Sequence, residues 1–218
     1  ESRLERLILT PIPPAAKQRA ERLAAALIAA RLTKYNLTGA APAMTDPAPL
    51  LVVGQVEDDA SIRLGAGDVR TNLALIQAAR ADARILYKPH PDVEAGLRAG
   101  AIPPDALRDL AEIAPNADPV DLIDACAEVW TMTSLLGFEA LLRGKPVTCL
   151  GAPFYAGWGL TTDLGPIPPR RQRAPDGHAL PRPDLTALVH AALIAYPRYF
   201  DPVSRRPCPP EVVADRLA

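Results

Sequence analysis

Thr131-Met-Thr-Ser-Leu-Leu-Gly-Phe-Glu-Ala-Leu-Leu-Arg-Gly-Lys-Pro-Val-Thr-Cys-Leu150 reads as the end of a strand, a helix and a second strand. Its opening residues close the short apolar run Glu128-Val-Trp-Thr131, and Ser134 is placed to cap a helix reaching about Leu142. Gly144 stops that helix, and Pro146 to Leu150 gives the next strand. Hydroxyl side chains at the helix mouth, among free backbone N–H groups and the positive end of the helix dipole, suit an anion. Glu139 lies about one and a half turns further along, so its carboxylate is within reach of a sugar hydroxyl on a ligand whose phosphate sits at the cap. A capped helix carrying a solvated Glu is the plainer alternative, and this stretch alone leaves it open.

Working upstream, Leu50-Leu-Val-Val-Gly54 is a continuous apolar run of the kind found inside a parallel sheet. Gln55-Val-Glu-Asp-Asp-Ala-Ser61 follows it, placing three carboxylates where a strand ends and active sites of open α/β sheets lie. Gly65 and Gly67 loosen the loop before a helix expected from Asp68 to about Arg80. Arg84 to Lys88 reads as the next strand, ending in Lys88-Pro-His-Pro-Asp92. Two prolines flanking one His fix the backbone around it and remove two N–H donors, presenting His90 rigidly beside Lys88.

Short helices are expected around 92–99 and 105–112, and another from Asp118 to Ala125. Strands near 50–54, 84–88, 128–131 and 146–150, separated by helices, predict a Rossmann-like α/β parallel sheet. Neither G-x-G-x-x-G nor a Walker lysine loop is present, so the expected ligand is a nucleotide held by His90, Lys88, Thr133, Ser134 and Glu139 without a glycine cradle. Downstream, Gly151 to Asp163 combines glycines with Phe154, Tyr155 and Trp158, which suits a flap over a ligand.

Residues 1–14 carry a short apolar stretch ended by Pro11 and Pro13-Pro14, and Ala15 to Leu32 reads as an amphipathic helix. Lys34-Tyr-Asn36 is most simply a loop after it, and 38–49 a linker. Residues 165–183 are irregular, basic and rich in Pro; a helix from Asp184 to Ala195 and a Pro-rich tail with a short helix near 210–217 close the chain. The 25 prolines, against roughly 5% average usage, collect in loops and mark boundaries. These features divide the chain into a helical segment at 1–45, a nucleotide-sugar-binding domain at 46–200 and a tail at 201–218.

A net charge of −1 over 218 residues argues against a nucleic-acid surface. No apolar run approaches the ~20 residues of a membrane span. Cys126, Cys149 and Cys208 have no metal spacing, and two of them sit in apolar runs, as reduced thiols of a cytoplasmic protein would. The first residue is Glu1 rather than Met, and the chain is read as part of a longer polypeptide.

The series Gln55-Val-Glu-Asp-Asp-Ala-Ser61, Lys88-Pro-His-Pro91, Thr131-Met-Thr-Ser134, Gly137-Phe-Glu-Ala140 and Pro153-Phe-Tyr-Ala-Gly-Trp-Gly159 closely resembles the bacterial capsule polysaccharide β-Kdo glycosyltransferases. The likeness runs from about Leu32 to Leu160 and is strongest to the C-terminal module of their dual-module member. It implies the nucleotide-binding half of a GT-B fold, with the missing N-terminal GT-B domain represented at most by residues 1–45. It also implies CMP-Kdo as donor, a lipid-linked Kdo acceptor, retention of configuration, no cofactor, and a cytoplasmic location with peripheral association at the inner face of the inner membrane.

In this family the His-Pro pair and the Ser/Thr cluster hold CMP, which carries the site to Lys88, His90, Pro91, Thr133, Ser134 and Glu139. Retention needs a carboxylate nucleophile or front-face attack. On the family's Gln-x-x-x-Asp pattern, counted from Gln55, Asp59 takes the nucleophile position. Asp58 or Glu57 is expected to tune it by repulsion, raising its pKa. Two other readings stay open: a non-catalytic nucleotide-binding assembly module, and a GT-B enzyme using a UDP-sugar. Competition by CMP but not UDP separates these readings.

Overall fold

The computed structural model describes residues 2–36, 39, 45–79 and 83–218. The chain forms two compact units, one of Glu1–Leu32 with Pro169–Ala218, the other of Thr33–Pro168. The boundary expected at residue 200 therefore falls near Pro168. Most of the linker at 38–49 and the predicted helix end at Arg80 lie outside the described residues.

The first unit opens with α1 (Arg3–Leu9) and α2 (Pro14–Ala29). The first was not expected, yet Ser2-x-x-Glu5 is a capping box: Ser2 Oγ accepts from Glu5 N at 3.2 Å and Ser2 N donates to Glu5 Oε2 at 2.7 Å.

The second unit holds the sheet. In chain order it runs β1 (Leu50–Val53), α3 (Ala60–Gly65), α4 (Asn72–Ala78), β2 (Ile85–Lys88), α5 (Pro91–Glu94), α6 (Pro104–Leu107), β3 (Glu112–Ile113), α7 (Pro119–Ala125), β4 (Glu128–Thr131), α8 (Leu135–Leu142), β5 (Val147–Cys149) and β6 (Thr162–Asp163). The strands lie side by side as β3-β2-β1-β4-β5-β6, all pairs parallel. This is the doubly wound Rossmann order, whose direction of winding reverses between β1 and β4. The four expected strands are present, and β3 and β6, two residues each, add the edges. Every residue of β1 and β2 is buried, as strands covered on both faces require. Leu50, Val52, Tyr87, Trp130 and Met132 join Leu75 and Ile76 of α4 in the core.

Two helix expectations shift. Thr71, not Asp68, caps α4, its side chain accepting from Ala74 N at 3.2 Å. Asp59 caps the unexpected α3, accepting from Ser61 N at 2.7 Å. Burial pushes the thiols of Cys126 and Cys149 up to about 11 and about 12, so both stay protonated and unreactive.

The loop after β5 is a buttress, not the expected flap. Tyr155 is fully buried and Trp158 is 3% exposed. Trp158 Nε1 donates to Phe154 O at 2.8 Å, and the Tyr155 hydroxyl donates to the carbonyl of Ser134. Gly137 makes room for this: a Cβ there would collide with the Tyr155 hydroxyl. Aromatic rings that anchor the cap of α8 from inside the core are not free to open over a ligand.

The rest of the first unit comprises a 3₁₀ turn at Pro169–Arg171, α9 (Leu185–Val189) continued by a π-helical stretch His190–Ala195, a hairpin of β7 (Tyr199–Phe200) and β8 (Pro207–Cys208), and α10 (Pro210–Leu217). Glu5, only 3% exposed, receives Arg170 Nε at 3.0 Å and Arg171 Nε at 2.8 Å. Arg19 meets Glu211 through two hydrogen bonds of 2.7 and 2.9 Å. The arginines of the 165–183 segment thus include an internal ion cluster. Among the described residues, no helix is long and apolar enough to cross a membrane.

Candidate functional site

In a doubly wound sheet the crevice opens outside the carboxyl ends of the strands where the winding reverses. Here those ends are Val53-Gly54-Gln55 of β1 and Thr131-Met132-Thr133 of β4, and Gln55 stitches them together. Gln55 Nε2 donates to Thr133 Oγ1 at 2.9 Å, while its Oε1 accepts from Thr133 N at 2.8 Å and from Thr131 Oγ1 at 3.2 Å. Its backbone is locked as well, by a reciprocal pair with the buried Asn72 side chain, both bonds 2.8 Å. Gln55 is 6% exposed. Gln55, which the family's Gln-x-x-x-Asp pattern sets among the expected catalytic residues with Asp59 and Asp58, has its amide committed to Thr131 and Thr133 and so organises the crevice.

The hydroxyl groups expected to receive an anion stand at the mouth of α8. Ser134 Oγ accepts from Leu136 N at 3.2 Å and Ser134 N donates to Thr131 Oγ1 at 3.1 Å. Because Ser134 Oγ and Thr133 Oγ1 both accept within the protein, each keeps its own hydroxyl proton for a ligand. Among the described residues the Leu135 N–H has no partner, so it adds a backbone donor at the same place.

Two adjoining cavities meet this mouth, sharing Lys34, Tyr35, His90, Ser134 and Leu135. The narrower, about 60 Å³, runs past Val53, Lys88 and Pro91 to Glu139. The broader, about 360 Å³, carries Gln55, Asp59, Arg98 and Thr133, a size in the range of ligand clefts.

His90 stands at the junction. It caps α5, with Pro91 as the first helical residue. Its Nδ1 accepts from Asp92 N at 3.2 Å, which assigns the ring proton to Nε2; Nε2 lies 2.9 Å from the Tyr35 hydroxyl. Burial lowers its pKa, so the ring is neutral near pH 7 and offers an N–H rather than a charge. Lys88 is 4% exposed and its Nζ meets Glu94 Oε2 at 2.6 Å. Of the expected phosphate ligands it is the one already ion-paired.

Glu139 ends the narrow cavity. Its Oε1 accepts from Lys34 N at 2.8 Å, but Oε2 is buried with no partner. Burial raises its pKa, against the lowering pull of Lys34 and Arg143. A buried carboxylate oxygen left unpaired is costly, and this one belongs to a residue that lines the narrow cavity.

The three consecutive carboxylates separate. Glu57 accepts from Asn72 N at 2.6 Å and Asp58 pairs with Arg98 Nη2 at 2.8 Å. Asp59 alone of the three lines the broad cavity. Its pKa is lowered, first by the Ser61 N–H and then by the Ser61 hydroxyl, with Arg98 and Lys34 adding to the effect. Tuning by repulsion from its neighbours, which would raise it, is therefore replaced by stabilisation of the ionised form.

Lys34 and Tyr35, for which the sequence favours a loop over a site role, line both cavities, and Arg98, which the sequence does not single out, lines the broader one. Lys34 and Tyr35 come from a loop that reads as plain helix exit. Arg98 sits between Gly96 and Gly100 in a turn after α5, and no motif marks it.

Comparisons with known proteins bear on this geometry. The chain is 45% identical over 207 residues to the capsule polysaccharide modification protein LipA of Neisseria meningitidis serogroup A, covering 92% of this chain and 28% of LipA. It is 44% identical over 193 residues to the lipopolysaccharide-processing protein LpsZ of Rhizobium meliloti, covering 84% of this chain and 41% of LpsZ. The chain thus spans well under half the length of these relatives. Two solved structures of Thermosulfurimonas dismutans KpsC match all of it. The beta Kdo 2,4 transferase does so at a TM-score of 0.85 with 32% identity over 68% of its own chain, and the beta Kdo 2,7 transferase at 0.79 with 36% identity over 66%. The sheet is accordingly the Rossmann-like half of a GT-B fold, as the resemblance implied. The family described as capsule polysaccharide biosynthesis protein matches residues 39–199, and the chain belongs to that family.

Proposed function

We propose that the chain is the donor-binding part of a retaining β-Kdo transferase, taking Kdo from CMP-Kdo to a lipid-linked Kdo acceptor for capsule polysaccharide. The acceptor-side domain comes from another part of the polypeptide, and the work is done at the cytoplasmic face of the inner membrane without a cofactor. The observation that carries this reading is the unpartnered Oε2 of Glu139 at one end of a cleft whose middle is the mouth of α8. That spacing fits a nucleoside monophosphate, its ribose hydroxyls at Glu139 and its phosphate at Ser134, Thr133 and His90.

The leaving group is CMP, so charge builds on its phosphate as the bond to the sugar breaks, and donors fixed beforehand lower the barrier most. The hydroxyls of Thr133 and Ser134, the Leu135 N–H, the dipole of α8 and His90 Nε2–H supply them. Tyr35, now 2.9 Å from His90 Nε2, moves off as the phosphate arrives or stays as one more donor to it. Asp59, ionised and facing the broader cavity, attacks the anomeric carbon, and the acceptor hydroxyl then displaces it. Two inversions give retention.

Calorimetric titration tests the site. CMP should bind saturably, UMP much less, and His90→Ala should weaken CMP by about tenfold or more, the scale of a hydrogen bond to a charged phosphate. Wild-type affinity in His90→Ala removes the assignment, and equal binding of UMP points to the UDP-sugar reading.

A further inference from the structure

Arg98 lines the broader cavity with Asp59, Ser61 and Lys34 and takes no part in the proposed hold on the nucleotide. Its Nη2 donates to Asp58 Oδ1 at 2.8 Å, and its side chain keeps 42% of its surface open. One bond to Asp58 leaves most of the guanidinium's donors for something else. Asp59 and Asp92 also act on its charge.

The proposed chemistry creates a need at this spot. Kdo is a keto-acid sugar, so the anomeric carbon attacked by Asp59 itself carries a carboxylate. Two carboxylates about 4 Å apart repel by roughly 4 kcal/mol at the effective dielectric of a protein surface. Lowering the pKa of Asp59 makes the conflict worse, because the attacking group is then always charged. A fixed cation beside both anions relieves it, and a guanidinium fork matches a carboxylate better than an ammonium does. Lys34 is the other cation of the cavity, but its Nζ rests over the Tyr35 ring, 4.7 Å from the centroid, and its field falls on His90 and Glu139 as well as on Asp59.

We propose that Arg98, held in place by Asp58, binds the carboxylate of the donor sugar next to Asp59 and so selects keto-acid sugars over neutral ones. The proposal rests on the CMP-Kdo reading. In the step it serves, an Asp59 oxygen forms a bond to the anomeric carbon as the bond from that carbon to the phosphate oxygen breaks, its electron pair leaving with CMP. The sugar carboxylate and Arg98 keep their charges throughout. Asp58 is a positioning residue: it sets the direction of the fork. A neutral sugar would leave Arg98 and Asp59 without their third partner.

The test compares CMP with CMP-Kdo by calorimetry in an Asp59→Asn background, where the donor is not consumed. Arg98→Gln should cut CMP-Kdo affinity by about tenfold or more and leave CMP within about twofold, the scale of one charged hydrogen bond lost from the sugar alone. Arg98→Lys should fall between, since it keeps the charge without the fork. Asp58→Asn should reproduce part of the loss, again for CMP-Kdo only. Undiminished CMP-Kdo binding in Arg98→Gln overturns the proposal, as does an equal loss of both ligands in Arg98→Gln and Arg98→Lys. Failure of the Asp59→Asn chain to bind either ligand overturns the CMP-Kdo reading itself, and this inference with it.

Discussion

The Gln55 side chain and the Thr133 residue bind each other twice, Oε1 to the Thr133 N–H at 2.8 Å and Nε2 to its hydroxyl at 2.9 Å. This pairing joins the ends of β1 and β4 at the point where the sheet reverses its winding, and it aims the Thr133 hydroxyl proton away from Gln55. Removing the amide strands the half-buried Thr133 N–H and the buried Thr131 hydroxyl, and it releases the Thr133 side chain.

Gln55→Ala should therefore lower stability by roughly 1–3 kcal/mol, the cost of leaving a buried polar group unpaired. It should also weaken CMP, because the hydroxyl it orients is freed. Gln55→Glu keeps the acceptor for Thr133 N but loses the donor and adds an anion beside the phosphate, so it should be the more stable variant with the worse affinity. Denaturant unfolding and calorimetry, run on both, check the pattern; a Gln55→Glu chain that binds CMP as well as wild type would mean the phosphate lies elsewhere.

Glu139 should behave as a group that stability alone would discard. A carboxyl whose pKa rises on folding holds its proton longer in the folded chain, so its favourable contribution is full below the unfolded pKa and is lost as pH rises through the folded one. At neutral pH, Glu139→Gln should leave the protein as stable as wild type or more so. The same change should weaken CMP and reduce its advantage over dCMP, since the paired ribose hydroxyls lose their acceptor. Unchanged discrimination between CMP and dCMP would take the ribose away from Glu139.

Much of this arrangement is legible in the residues because it is local. The four inner strands are apolar runs, and Ser134 announces itself as a cap. His90 is marked by its two prolines. What escaped depends on contacts distant in the chain. Apart from the family pattern counted from Gln55, nothing local tells Asp59 from Asp58; the physical difference comes from the Arg98 turn, 40 residues on from Asp58, which pairs one carboxylate and leaves the other facing the cavity. The aromatic loop at 153–159 has the composition of a flap, but Tyr155 finds the Ser134 carbonyl across 21 residues and is buried by it. Gly157 and Gly159 there hold positive φ, 87° and 82°, which a turn requires. The edge strands β3 and β6 are too short for any periodicity to show.

In the first unit, Glu5 ties stability to acid pH. Burial acts to raise the pKa of Glu5, but hydrogen bonds from Arg170, Ser2 N and Arg171 outweigh it and bring it down to about 2. A carboxylate depressed on folding contributes stability that is present above its unfolded pKa and is lost as pH falls through the folded one. The loss should thus fall between about pH 4.5 and about pH 2. Glu5→Gln should abolish that part of the acid transition and destabilise the chain at neutral pH, because Arg171, 9% exposed, loses its carboxylate partner. Circular dichroism across this pH range, wild type against Glu5→Gln, reads both effects; superimposable acid curves would show that the cluster contributes nothing.

Asp59 gives the sharpest test of chemistry. The Ser61 N–H and hydroxyl hold its carboxyl below the usual range, so it is ionised throughout the neutral region. Activity should show no rise near neutrality owed to this group. It lies on the cavity that adjoins the phosphate donors, while the groups proposed to bind CMP belong to other elements. Asp59→Asn keeps the size and the acceptor for Ser61 N, but removes the charge and most of the nucleophilicity. It should lose transfer by several orders of magnitude and keep CMP affinity, separating chemistry from binding. In the complete polypeptide, CMP-Kdo without acceptor should leave a Kdo unit on the Asp59 peptide, visible by mass spectrometry after rapid acid quench. Glu57 is bound to Asn72 and Asp58 to Arg98, and of the three carboxylates Asp59 alone lines the cavity. Full transfer by Asp59→Asn, or an adduct on Glu57 or Asp58, would sink the assignment of the nucleophile and leave the nucleotide site standing.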